Sequence, residues 1–135
     1  TAQWAKIFGA KRVTVFDISD ERLKLAKKLS IDNGINTLEE DFMDQAMALT
    51  GGKGFGYVYE TAGVTTTMKY AFRLAANKAG VCFIGTPTKE LSFSVEEWEN
   101  MNRKEFTLTG SWMSYSAPFP GKDGSSQPII LRPAS

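Results

Sequence analysis

Short runs of β-branched and aromatic residues alternate with amphipathic helical stretches along most of this chain, and that alternation constrains its fold more than any other feature. Val13, Val15 and Phe16 read as a buried strand ending on Asp17; Ser19 can then cap a helix whose first turn holds Asp20 and Glu21 and whose apolar face is Leu23, Leu25, Ala26 and Leu29. The pattern repeats with a brief strand at Ile35, a helix from about Glu39 carrying Phe42, Ala46 and Leu49, and a stop at Gly51 and Gly52. A strand Tyr57 to Tyr59 ends at Glu60, and a helix with Met68, Ala71, Phe72 and Ala75 leads through Gly80 into the strand Val81 to Ile84. Ser94 with Glu97 forms a capping box for a helix through Trp98 and Met101, before a last strand on Phe106 and Leu108. Strands separated by helices cannot pair as hairpins. They predict an α/β fold, a doubly wound parallel sheet with crossover helices.

Composition narrows the chemistry. At 135 residues the chain is long enough for one ordinary domain, and 42% apolar with 23% charged residues is globular. With no histidine there is no His general base and no Ser-His pair, and the lone Cys82 rules out an internal disulfide and an ordinary zinc site. Cys82 sits mid-strand among apolar neighbours and reads as a buried, inert thiol. Trp4 with Phe8, and Tyr70 with Phe72, read as core and boundary packing. A net charge of +1 gives no electrostatic reason to expect nucleic acid or an anionic membrane as partner. No leader-like or membrane-length apolar run occurs, so a soluble, cytoplasmic setting is the expectation. The opening Ala2, Trp4, Ala5, Ile7, Phe8, Gly9 reads as a helix already under way, which predicts an upstream part. From Ser114 to Ser135, Pro118, Pro120, Pro128 and Pro133 with several serines and glycines predict a loop and tail.

In a doubly wound sheet, ligands bind beyond the carboxyl ends of the strands. The residues there are Asp17, Glu60 to Gly63, Gly85 to Pro87 and Gly110 to Trp112. A carboxylate at Asp17 can accept ribose hydroxyls and would repel a 2′-phosphate, which favours NAD over NADP. Arg22, one helical turn on, could cover the adenine or its ribose, or simply be solvated. Thr61, Ala62, Gly63 and Gly85, Thr86, Pro87 are small-residue turns that either admit a flat ligand or merely connect a strand to the next element. The spaced glycines Gly52, Gly54 and Gly56 lie after a helix and before a strand, the reverse of a phosphate-binding loop.

The runs VTVFDISDERLKLAKKL, GKGFGYVYETAG, VCFIGTP and NRKEFTLTGSW, in that order, resemble the cofactor-binding half of the zinc-dependent medium-chain alcohol and polyol dehydrogenases over about residues 1 to 122. The resemblance implies NAD as cofactor, with zinc held by Cys, His and Glu ligands of a catalytic domain that are not in this chain. It implies a small-molecule partner, a polyol phosphate, and a homo-oligomer at full length. It places the adenosine ribose on Asp17, with Ile18 beside it and Arg22 beyond. The turn after the family's fourth strand falls on Thr61, Ala62 and Gly63, and the nicotinamide side falls on Ile84, Gly85, Thr86, Ser111 and Trp112. It divides the chain into a partial NAD-binding domain (1–112), a segment returning toward the catalytic domain (113–122) and a tail without the resemblance (123–135).

The family's first strand and glycine-rich loop would precede Thr1. Gly56 stands where the family commonly has Asp, and Ser30 where it commonly has Gly. In the strand order 3-2-1-4-5-6 the first strand is central, so the expected sheet is partial and the chain alone weakly stable or oligomeric and unable to catalyse. Two other readings stay open: a catalytically silent nucleotide-binding or interaction module, and an S-adenosylmethionine methyltransferase. The latter also places an acid on a ribose but normally ends in an antiparallel strand pair.

Overall fold

A computed structural model describes residues 1–111, so the assignments for Trp112, the segment 113–122 and the tail 123–135 lie outside the described residues. Five helices and five strands alternate: α1 (Ala2–Ile7), β1 (Thr14–Asp17), α2 (Asp20–Lys28), β2 (Asn33–Asn36), α3 (Phe42–Leu49), β3 (Phe55–Glu60), α4 (Thr65–Leu74), β4 (Ala75–Phe83), α5 (Val95–Lys104) and β5 (Thr107–Gly110). Every strand pair is parallel, β5 included, so the antiparallel ending of a methyltransferase is not found among the described residues.

The strands form two sheets, β1-β2 and β3-β4-β5, with no ladder joining β1 to β3. The interruption falls where the expected central strand would lie. Across it, the rings of Phe16 and Phe55 meet edge to face at 5.8 Å, and Phe16, Phe55 and Tyr70 surround a small core of Ile35, Phe42, Ala46 and Leu74.

Alternation along the strands shows which face each helix covers. On β2, Gly34 faces Leu23 of α2 whereas Ile35 packs with Phe42 and Ala46 of α3, so α2 and α3 lie on opposite faces. On the second sheet, the register row Val58, Val81 and Leu108 faces α4 and α5, and centres on Phe72, which is 1% exposed. Truncating so well packed a phenylalanine to alanine costs about 3–5 kcal/mol. The alternate row runs through Tyr59, Cys82 and Thr109 on the opposite face, where Tyr57 and Tyr59 are exposed. Cys82 is therefore half-buried rather than buried, because no described helix covers that face. Trp4 and Phe8 do stack on each other, but both are exposed and α1 buries none of its residues, so they are not core.

Local signals placed most element ends. Ser19 accepts from the amide of Arg22 to cap α2, and Ser94 with Glu97 forms the reciprocal capping box of α5. Among the boundaries that moved are two at helix ends. Glu39 lies in a turn that receives the Phe42 amide, so α3 starts later than its apolar period suggested. Ala75 leaves α4 with an extended backbone and begins β4 without any loop. This abrupt junction depends on Lys104 of α5, whose ammonium donates to the carbonyls of Phe72, Arg73 and Ala75 at 2.9, 2.7 and 2.9 Å. Burial, and then the neighbouring charge of Arg73, hold the Lys104 pKa below the usual lysine value.

Gly54 has φ +83°, and a Cβ there would lie 2.7 Å from the Leu74 carbonyl oxygen of the same junction. Gly52, with φ +79°, thus follows the end of α3 and Gly54 serves packing, whereas a Cβ on Gly56 would meet nothing within 4 Å.

Candidate functional site

The carboxyl ends of the strands carry two clusters. On the first sheet, Asp17 closes β1. Its Oδ1 accepts the Ser19 amide at 2.9 Å, an Asx-type turn that orients the carboxylate, while Oδ2 meets the Arg22 guanidinium only at 3.5 Å. The Asp17 side chain is 21% exposed and that of Arg22 is 74% exposed, so Oδ2 can still accept from a hydroxyl donor beside an exposed cation. Ile18 stands exposed next to them.

On the second sheet the two small-residue turns interlock. The Ile84 and Gly85 amides donate to the Glu60 carbonyl at 2.8 and 3.0 Å, extending the pairing of β4 with β3 past the strand ends. Gly63 has φ +72°, a conformation that penalises side chains, and a Cβ there would lie 2.5 Å from the Thr86 carbonyl oxygen. A Cβ on Gly85 would in turn overlap the Gly63 amide nitrogen and lie 2.7 Å from its Cα. The Ser111 amide donates to the Phe83 carbonyl at 2.9 Å, which brings Ser111 to the same edge. Thr61, Ala62, Gly63, Ile84, Gly85, Thr86 and Ser111 are thus one contiguous set. Asp17, Ile18 and Arg22 form another, on the far side of the interruption.

Sequence reasoning placed Glu60 at the strand end without giving it a role. Only 4% exposed, it is the one buried charged side chain among the described residues. Its carboxylate receives the amides of Ala62 and Gly63 and the hydroxyl of Thr67 at 2.7–2.9 Å. An acid directly before a Thr-Ala-Gly turn was the available signal.

No group of three or more Cys, Asp or Glu side chains is placed to hold a metal among the described residues, and the chain contains no histidine. A zinc ion does not fit this donor set. Two surface grooves lie away from the strand-end residues: one is lined by Leu23, Lys24, Ile31 and Gln45, another by Phe93, Val95 and Trp98. No helix among the described residues is long and apolar enough to cross a membrane.

The family model described as zinc-binding dehydrogenase matches residues 1–122. The chain belongs to this zinc-binding dehydrogenase family. It is 36% identical over 129 residues to galactitol 1-phosphate 5-dehydrogenase of Escherichia coli, a match covering 96% of this chain and 37% of that protein. It is 32% identical over 91 residues to L-threonine 3-dehydrogenase of Symbiobacterium thermophilum, covering 67% of this chain and 26% of that protein. The crystal structure of Escherichia coli galactitol-1-phosphate dehydrogenase superposes with a TM-score of 0.77 over 90% of this chain and 35% of that one. The chain therefore spans a little over a third of the length of that curated relative. The parallel sheets with flanking helices are the Rossmann-like part of such a dehydrogenase.

Proposed function

We propose that this chain is the NAD-binding portion of a zinc-dependent dehydrogenase that oxidises an alcohol of a small polyol phosphate. The name of the Escherichia coli relative makes galactitol 1-phosphate, oxidised to tagatose 6-phosphate, the specific substrate of this proposal. The observation that carries the reading is Asp17. Its carboxylate closes β1, is oriented by the Ser19 amide, and has in Oδ2, which meets the Arg22 guanidinium only at 3.5 Å, an oxygen with room to accept ribose hydroxyls while repelling a 2′-phosphate. Gly63 and Gly85 supply a second support, because without Cβ atoms the two turns pack directly on each other and hold the ends of β3 and β4 together where the distal half of the dinucleotide would lie.

In this reading Asp17, Ile18 and Arg22 hold the adenosine end, Ile84, Gly85, Thr86, Ser111 and Trp112 line the nicotinamide end, and the Thr61, Ala62, Gly63 turn contacts the cofactor where Gly63 packs against Gly85 and Thr86. Bound NAD accepts the hydride. The zinc ligands and the substrate-binding residues belong to sequence outside this chain, since the side chains present do not suit the metal. The chain by itself binds and orients but does not catalyse, and the complete protein is a homo-oligomer working in the cytoplasm.

Calorimetric titration of the complete polypeptide with NAD, NADP and S-adenosylmethionine tests the reading. NAD is expected to bind tightest, and Asp17→Asn to weaken it by about 10- to 100-fold, the value of a hydrogen bond to a charged group. Tighter binding of NADP, or of S-adenosylmethionine, sinks it.

A further inference from the structure

Glu60 presents a physical problem that its surroundings solve in an informative way. A buried carboxylate is costly unless it is paired or fully hydrogen-bonded, and no cation bridges to Glu60 among the described residues. Instead Oε1 accepts the Ala62 amide at 2.8 Å, the Gly63 amide at 2.9 Å and the Thr67 hydroxyl at 2.7 Å, and Oε2 takes a second share of the Gly63 amide at 3.1 Å. Thr67 lies in the first turn of α4, whose N-cap, Val64, provides no side-chain acceptor. The Thr67 oxygen is also 2.9 Å from the Val64 carbonyl, but its single proton favours the charged acceptor. One side chain thus gathers the end of β3, the following turn and the start of α4.

The consequence reaches the ligand side. Gly63 is drawn inward by both of its contacts with Glu60, and that position brings it against Gly85 and Thr86. With the Ala62 and Gly63 amides turned to the carboxylate, the turn has no backbone donor at these positions for a phosphate. It suits a ligand group that donates, a sugar hydroxyl or a carboxamide.

We propose that Glu60 is a positioning residue for the nicotinamide half of the dinucleotide, shaping the Thr61–Gly63 turn so that it accepts from that half while leaving the adenosine end to Asp17. This rests on the NAD-binding reading above. Replacing the carboxylate by a neutral amide would weaken the acceptor of the two backbone amides and set an NH2 donor where Oε2 now takes its share from Gly63, letting Gly63 move off Thr86, so the loss should fall on one half of the ligand only.

The test compares NAD with ADP, which has the adenosine and both phosphates but lacks the nicotinamide riboside, using calorimetry on the complete polypeptide and its Glu60→Gln variant. NAD should weaken by about tenfold, the equivalent of one lost hydrogen bond of about 1.4 kcal/mol, with ADP affinity within about twofold of the parent. Equal weakening of both ligands would show a general scaffold role and overturn the proposal, as would no weakening of either. Thr67→Val, which keeps the carboxylate and removes one donor, should show the same split at smaller amplitude, and Thr67→Ser should restore parental binding. These two decide the matter if Glu60→Gln does not fold: absence of the split in Thr67→Val overturns the proposal. A parent protein that binds neither ligand overturns the NAD reading and this inference with it, an outcome distinct from a parent that binds both and a variant that does not discriminate.

Discussion

Gly85 lies so close to Gly63 that a Cβ on Gly85 would overlap the Gly63 amide nitrogen and approach its Cα to 2.7 Å. Both obstacles are backbone, so neither can swing aside as the tip of a side chain would. Gly85→Ala should therefore cost about 1–3 kcal/mol through forced separation of the turns. It should also weaken NAD binding more than ADP binding, because the displaced turns lie away from Asp17. Denaturant unfolding together with the two titrations checks both parts, and an Ala variant with parental stability would refute the close approach.

Ser30 follows the C-terminal end of α2 with φ +60°, in the left-handed region. Its amide donates to the Lys27 carbonyl and the Ile31 amide to that of Ala26, as a helix stop requires. A serine in this conformation carries a penalty of about 1 kcal/mol that glycine escapes. Ser30→Gly is expected to raise the melting temperature by about 4 °C, measured by circular dichroism.

Lys104 satisfies three carbonyls at the junction of α4 and β4 with one ammonium group. Lys104→Met preserves the stem's packing and removes all three donors, so a loss of about 2 kcal/mol is expected. Amide hydrogen exchange should show faster opening of the α4 C-terminal turn than of β3, since the damage is local.

Asp32 accepts the Val13 amide at 2.7 Å and the Lys6 ammonium at 3.0 Å, tying α1 to the approach of β1. The Val13 amide, and next the Lys6 hydrogen bond, hold its carboxyl below the ordinary aspartate range. A lowered folded-state pKa means that the unfolded chain takes up the proton first. The stabilisation is complete above the ordinary range and is lost as the pH falls through the folded value. Asp32→Asn should therefore melt below the parent at neutral pH, with the difference shrinking on acidification. Thermal melts across that range check the sign, and a gap that widens in acid would refute it.

Features encoded by neighbours in the chain were legible in the sequence. The Ser19 cap and the Ser94–Glu97 capping box need only residues within one helical turn. Asp17 could be assigned to a strand end because the β-branched run stops there and the helix signal begins two residues later. The Gly52, Gly54, Gly56 run could be separated from a phosphate loop by the order of its flanking elements, although the reason Gly54 must be glycine lies in the remote Leu74 carbonyl. The boundary at Ala75 was missed because a helix-period alanine gives no local sign that Lys104 will terminate the helix from another element.

The sequence by itself determined the alternation of strands and helices, the caps, the absence of histidine chemistry and the acid after the first described strand, because each depends on residue type and short-range order. Only the tertiary structure decided that the sheet divides between β1 and β3, that no described helix covers the face carrying Tyr57 and Tyr59, and that Glu60 is buried within the turn it organises. Those outcomes depend on which distant segments compete for the same strand edge, sheet face or hydrogen-bond acceptor, and that competition is settled only when the chain is packed.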